Sequence, residues 1–224
     1  MTTRALLFDF GGTLDAEGVP WKERFARILG EEGLAVPREE FERAFYGACD
    51  CLEGTIGEAA GFRELVDRVA SGLAERLGRD PERLRRVGDR FAEEALAQLS
   101  RSAALLARLS ERYRIGIVSN FYGNLHAVCD EVGLAPSIGA AIDSTVVGCK
   151  KPDARIFLAA LDALGAEPAD AVFVGDSPSR DMAGARALGM RHVWLRPEGA
   201  PENGPCCPGD VVIPRLADLE RVAL

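Results

Sequence analysis

The sequence predicts a doubly wound parallel α/β core interrupted by an all-helical insert. Two observations carry the core. Short apolar runs recur at 5–8, 115–118, 171–174, 192–195 and 211–213, a form that suits strands buried on both faces. Helical patterns that stop at glycine lie between them, and strands alternating with such helices imply a parallel sheet covered on both sides. A third observation carries the insert: between 17 and 101 no strand pattern is found, and apolar residues repeat at helical spacing.

The elements follow in chain order. The run 5–8 ends in Asp9 and reads as the first strand. Within the insert, Trp21, Phe25, Ile28 and Leu29 share one helical face, as do Phe41, Ala44, Phe45 and Ala48. Phe62, Leu65, Val66, Val69, Leu73 and Leu77 form the clearest stripe, and Leu84, Val87, Phe91 and Leu99 mark a fourth helix. Pro37, the stretch 54–61 and Gly78-Arg79-Asp80-Pro81 punctuate them. The core then resumes. An apolar helix from Ile156 to Leu164 stops at Gly165, and one from Met182 to Leu188 stops at Gly189, glycine just past a helix being the usual stop signal. The Pro- and Gly-rich stretch 196–209 reads as a surface loop before the last strand. The division expected is a discontinuous core of 1–16 and 102–224 with a helical cap of 17–101, hinged near Glu17-Gly18 and Ser100-Arg101-Ser102.

Charge and cysteine content narrow the partners. Lys and Arg total 27 against 35 Asp and Glu, a formal net charge of -8, so a broad footprint for nucleic acid or an anionic membrane is not expected. The six cysteines include no Cys-x-x-Cys pair, and His126 and His192 are the only histidines, too few for a structural zinc site. Cys206-Cys207 is a loop pair with no assigned chemistry. The N-terminal stretch reads as neither signal peptide nor membrane span, and a reducing cytoplasm with free thiols is the expectation.

Four segments fall at the carboxyl ends of predicted strands or in the loops beside them, where open α/β sheets bind ligands. They are Asp9-Phe10-Gly11-Gly12-Thr13, Ser119-Asn120, Lys150-Lys151-Pro152 and Gly175-Asp176-Ser177 running on to Asp181. Together they offer carboxylates for a metal, hydroxyls and backbone N–H groups for a phosphate, and a lysine for charge, a set matched to an oxyanion beside a divalent cation.

In this order and spacing the four segments resemble the haloacid dehalogenase (HAD) superfamily, whose Rossmann-like core carries a helical cap inserted after the first motif. The resemblance implies a role for each matching position. Asp9 matches the nucleophile that attacks phosphorus and becomes an aspartyl-phosphate. Thr13 and Ser119 match groups that bind phosphoryl oxygens, with Asn120 beside them. Lys151 matches the lysine that neutralises Asp9 and the transferring group. Asp9, the carbonyl of Gly11, and Asp176 match the metal ligands, supported by Asp181, and Mg2+ is the implied ion because it favours carboxylate, carbonyl and water oxygens.

One position departs from the family pattern. Phosphatases of this superfamily resemble Asp-x-Asp-Gly-Thr at the first motif, whereas this chain has Gly11 where the second aspartate would protonate the leaving group. A general acid–base group is typically worth ~10²–10⁴-fold. The nearby acids Asp15 and Glu17 are candidates to replace it, with turn residues the preferred reading for both. The reaction implied is Mg2+-dependent hydrolysis of a small phosphorylated metabolite through Asp9. Two alternatives stand beside it: a dehalogenase-like hydrolase in which Asp9 attacks carbon, and a non-catalytic fold that binds a metal or ligand.

Overall fold

The structure, a computed structural model, describes residues 3–199 and 211–222. Its centre is a six-stranded parallel sheet built from β1 (Ala5–Phe8), β2 (Arg114–Ser119), β3 (Ala140–Asp143), β4 (Ala171–Gly175), β5 (Arg191–Leu195) and β6 (Val211–Ile213). The spatial order is β3-β2-β1-β4-β5-β6, with Phe8 opposite Ile117 on one side and Val174 on the other. The strand order therefore reverses between β1 and β4, and the crevice outside their carboxyl ends is the ligand position of a doubly wound sheet. Asp9 and Asp176 are the residues immediately beyond those two ends.

Side-chain alternation along the strands divides the core into two layers. Leu6, Phe8, Ile115, Ile117, Val172 and Val174 face one apolar cluster, while Ala5, Leu7, Val118, Ala171 and Phe173 face another with Ile156, Phe157 and Leu161. The second cluster is covered by α7 (Ala154–Leu164), which Asp153 caps by accepting the Arg155 N–H at 2.9 Å and which ends at left-handed Gly165.

The insert comprises α1 (Trp21–Glu31), α2 (Arg38–Asp50), α3 (Phe62–Leu77) and the first two thirds of α4 (Pro81–Ser110). Its buried faces are those the helical spacing marks: Phe25 and Ile28 on α1, Phe41 and Phe45 on α2, Leu65 and Val69 on α3, Leu84 and Phe91 on α4. Phe25 stacks on Phe91 with centroids 4.3 Å apart. These residues belong to the same cluster as Leu6 and Phe8, bridged by Phe10, Leu14, Trp21 and Phe62, so insert and sheet share one apolar interior.

Three details differ from the sequence reading. The strand β3 was not foreseen: Ala140-Ala141-Ile142-Asp143 has little β propensity, and it pairs on one side only, at the sheet edge. The 182–188 segment is shorter as a helix, with a wide turn at Pro178–Met182 followed by α8 (Ala183–Ala187). Finally, α4 runs unbroken through 100–102, so the second crossing expected to hinge is helix interior. No glycine or proline follows Gly88 within α4, and its buried stripe continues through Leu99, Ser102, Leu105, Leu106 and Leu109.

At the first crossing the backbone is bent: Glu17 has φ 51° and Gly18 φ 89°. Glu17 is held at both carboxylate oxygens, by Gln98 Nε2 at 2.9 Å and by the Leu216 N–H at 2.6 Å. Cys49, Cys51, Cys129 and Cys149 are free thiols, and Cys206-Cys207 lies outside the described residues. No helix of the described residues is long and apolar enough to cross a membrane.

Candidate active site

Asp9 follows β1 directly, so its position is set by a strand buried on both faces. Its Oδ1 accepts hydrogen bonds from the Phe10 N–H at 2.7 Å and Ser119 Oγ at 2.9 Å, and lies 2.7 Å from Lys151 Nζ. Oδ2 receives no hydrogen bond from the described residues. Ser119 is the last residue of β2, the neighbouring strand, which explains how residues 110 positions apart meet.

Lys151 reaches the site from the loop before α7. Its ammonium is buried, 2.7 Å from both Asp9 Oδ1 and Asp181 Oδ1. Burial alone would depress its pKa, but the charges of Asp181 and Asp9 outweigh burial and hold it above the ordinary lysine value. Asn120 fixes this loop: its Oδ1 accepts the Lys151 N–H at 2.7 Å and its Nδ2 donates to the Lys151 carbonyl at 3.2 Å. Its side chain thus positions the lysine.

Asp176 and Asp181 complete a buried acidic group. One carboxylate oxygen from each of Asp9, Asp176 and Asp181 lies within 4.8 Å of the others. Burial, reinforced by the charges of Asp181 and Asp9, pushes the Asp176 carboxyl well above the usual range. Burial also raises Asp181, with Lys151 opposing. Trp194 Nε1 donates to the Asp176 carbonyl at 3.0 Å and pins the end of β4. Thr13 Oγ1 is 3.4 Å from Asp176 Oδ1. Gly12 has φ 91°, and a Cβ there would stand 2.6 Å from Asp176 Oδ2, so the first-motif turn can approach this acid only as glycine.

Three buried carboxyl groups share one ammonium, so they cannot all ionise without further positive charge. Such a donor set fits a hard divalent cation with oxygen ligands, and Asp9, Asp176 and Asp181 are the side chains placed to hold it.

The missing acid is not replaced by Asp15. That residue is buried and fully engaged: Oδ1 accepts the Gly12 N–H at 2.7 Å, and Oδ2 accepts Trp21 Nε1 at 2.7 Å and Arg24 Nη1 at 2.9 Å. Burial raises its pKa, with Arg24 the main opposing influence. Glu17 is likewise committed to Gln98 and Leu216. Gly11 itself has an ordinary φ of -78°, but a Cβ there would meet Trp21 Nε1 at 3.3 Å. The space of the absent side chain is bounded by an indole from the insert.

Asp9, Gly11, Ser119, Asn120 and Lys151 line a cavity of about 370 Å³ roofed by α1 and α2 of the insert. Arg180 also lines it, a residue to which the sequence reading gave no role although it adjoins Asp181. Trp21, Tyr46 and Asp50 line it from the insert, and no local motif marks them.

Known proteins resemble this chain in sequence and in fold. Residues 3–189 match the family model described as a haloacid dehalogenase-like hydrolase. The chain is 36% identical to a phosphoserine phosphatase of Thermus thermophilus, over 99% of this chain and 91% of the relative. It is 31% identical to a phosphoglycolate phosphatase of Rhodospirillum rubrum, over 84% and 77% of the two chains. Among solved structures, the magnesium-bound HAD-hydrolase YfnB of Bacillus subtilis superposes with a TM-score of 0.62 at 21% identity, covering 99% of this chain and 98% of that one. A dehalogenase with an intermediate complex does so with a TM-score of 0.64 at 20% identity, over 98% and 96%. The two structures share the fold; the family match and the two sequence relatives carry the assignment, and the chain belongs to the haloacid dehalogenase-like hydrolases.

Proposed function

We propose that the protein is a Mg2+-dependent phosphatase of small phosphorylated metabolites that works through an aspartyl-phosphate on Asp9, with residues 17–101 acting as the cap that roofs the site. The observation that carries the reading is the state of Asp9. One oxygen is fixed by Lys151, Ser119 and the Phe10 N–H while the other is left uncommitted beside a cavity. A carboxylate held in this way is oriented for attack without losing its nucleophilic oxygen. The phosphatase names of the two sequence relatives support the same reaction class, and a cavity of about 370 Å³ suits a small substrate.

Asp9, Asp176, Asp181 and the Gly11 carbonyl would hold the cation, which supplies charge neutralisation of the phosphoryl oxygens when bound. Asp9 attacks phosphorus and the ester oxygen departs with the bonding electrons. Lys151 and Ser119 stabilise the charge on the transferring group, with Thr13 at the turn beside it. Because Gly11 offers no proton, the departing oxygen takes its proton from solvent, and substrates with stable leaving anions are favoured. Water then attacks phosphorus, releasing phosphate and restoring Asp9.

Hydrolysis of an aryl phosphate should require Mg2+, stop with chelator and be lost in Asp9→Asn. Alkyl phosphates should react more slowly, by about 10²–10⁴-fold if the missing acid is the whole cause. Halide release from a 2-halo acid without metal, with no phosphatase activity, would overturn the reading.

A further inference from the structure

The cavity wall beside Gly11 is supplied by the insert. A Cβ at Gly11 would lie 3.3 Å from Trp21 Nε1 and 3.6 Å from its Cδ1, so the indole borders the space that an aspartate would fill. The indole N–H is spent on Asp15 Oδ2 at 2.7 Å and has no proton to offer a departing oxygen. Asp15 is itself held by the Gly12 N–H and Arg24. Trp21 also packs edge-on against Phe62 and Phe91, with centroids 5.8 and 5.0 Å away. A fixed aromatic ring therefore stands beside the place where the phosphatase pattern has a carboxylic acid.

Five aromatic side chains line the cavity: Trp21, Phe45, Tyr46, Phe121 and Tyr122. They belong to one connected set of rings. From Trp21 the set runs through the buried Phe62 and Phe10 to Phe121 and Tyr122, with successive centroids 5.8, 6.2, 5.4 and 5.3 Å apart. In the other direction it runs through Phe91 and Phe25 to Phe45 and Tyr46, at 5.0, 4.3, 5.7 and 5.8 Å. Tyr46 is 51% exposed, so one end of the set is open. Of the lysines on the same walls, Lys22 is paired with Glu42, Lys150 with Glu53, and Lys151 with Asp9 and Asp181. The walls thus offer aromatic surface while their lysines are already committed to protein acids.

We propose that the organic part of the substrate is an aromatic ring joined to phosphate through its own hydroxyl, an aryl phosphomonoester, and that Trp21 is the specificity-determining residue that receives the ring. This rests on the phosphatase reading and names its substrate class. Two independent observations meet in it. Gly11 supplies no proton, and a phenolate departs without one: a phenol ionises near a pKa of about 10, against about 15.7 for water. The residue beside Gly11 is an indole, which gains from an offset or edge-on ring against it. An acyl phosphate has the stable leaving anion and lacks the ring. A benzyl ester has the ring and lacks the stable anion. An aryl ester satisfies both demands.

The kinetic test holds the leaving anion constant and varies the ring. On the Mg2+-loaded enzyme, phenyl phosphate is compared with hexafluoroisopropyl phosphate, an aliphatic ester whose alcohol is about as acidic as phenol. The wild type should favour phenyl phosphate in kcat/KM by about 2-fold to 12-fold, the range of one aromatic contact. Trp21→Leu should bring the two esters together, and Trp21→Phe, which keeps a ring in place, should retain the preference. Equal efficiency in the wild type, or a preference that survives Trp21→Leu, overturns the assignment. Because Trp21 also packs inside the insert, a second measurement leaves it untouched. Calorimetry of the wild type with benzylphosphonate and cyclohexylmethylphosphonate compares a planar with a puckered ring on a non-hydrolysable mimic. The benzyl compound should bind tighter by the same factor, and equal affinities overturn the ring assignment alone. Absence of turnover with both esters and with acetyl phosphate sinks the phosphatase reading itself.

Discussion

Asp176 shows what the site demands of single residues. Its carboxyl is pushed well up by burial and then by the charges of Asp181 and Asp9. A carboxyl whose folded pKa is raised holds its proton in the native state where the unfolded chain has lost it. Its contribution to stability is present below the unfolded carboxylate pKa and is lost as pH rises through the folded value. Asp176→Asn keeps the shape and cannot ionise. In the metal-free protein this variant should melt at a higher temperature than wild type at neutral pH, and the difference should shrink as the pH is lowered through the folded pKa. Added Mg2+ should raise the wild-type melting temperature and leave the variant little changed, because a ligand that binds only the native state stabilises it. Identical melting curves at every pH would remove Asp176 from the acidic cluster. Asp9, Lys151 and Asp181 were legible in the sequence because each sits in a short segment with its own local pattern. The Asp15–Trp21–Arg24 network was not, since it depends on an indole and a guanidinium folding back from α1 onto the first-motif turn.

Among the elements, α4 carries the largest correction and the clearest test. Thirty residues of unbroken helix tie the insert to the core, and the buried Ser102 Oγ donates to the Leu14 carbonyl at 2.6 Å. Ser100-Arg101-Ser102 reads as a polar break by residue type, yet serine and arginine are compatible with a helix whose apolar stripe continues on both sides. Hydrogen exchange should therefore find the amides of 98–106 protected like the rest of the helix interior. Rapid exchange at 100–102 would restore a hinge there. Ser102→Ala leaves a buried carbonyl without its partner and should cost about 1–3 kcal/mol in denaturant unfolding. Strands rich in Val, Ile and Leu were legible for the opposite reason: their composition leaves no competing reading, whereas β3 is half alanine and takes its strand form from pairing with β2.

At the scale of the whole molecule, the site is assembled where two parts of one apolar interior meet. The core supplies Asp9 and Ser119 at strand ends, Asp176 just beyond β4, and Lys151 and Asp181 from the loop and turn beside them, while Trp21, Tyr46 and Asp50 of the insert line the cavity from above. The architecture was readable as alternating strands and helices with a helical interruption. The shared cluster was not readable, because helical spacing says which face is buried and not what buries it. On the proposed reading the core residues would perform the chemistry, the roof would exclude solvent, and Gly11 would leave the leaving group without a protein acid. The same absence would slow water attack on a phosphorylated Asp9, so the proposed mechanism predicts that phosphate accumulates on the enzyme. The most direct measurement is a rapid acid quench after mixing with a labelled aryl phosphate and Mg2+, followed by peptide mapping. The account predicts label approaching one phosphate per chain on the peptide containing Asp9, and none in Asp9→Asn. Steady turnover with no labelled protein, or label on a residue other than Asp9, would contradict it.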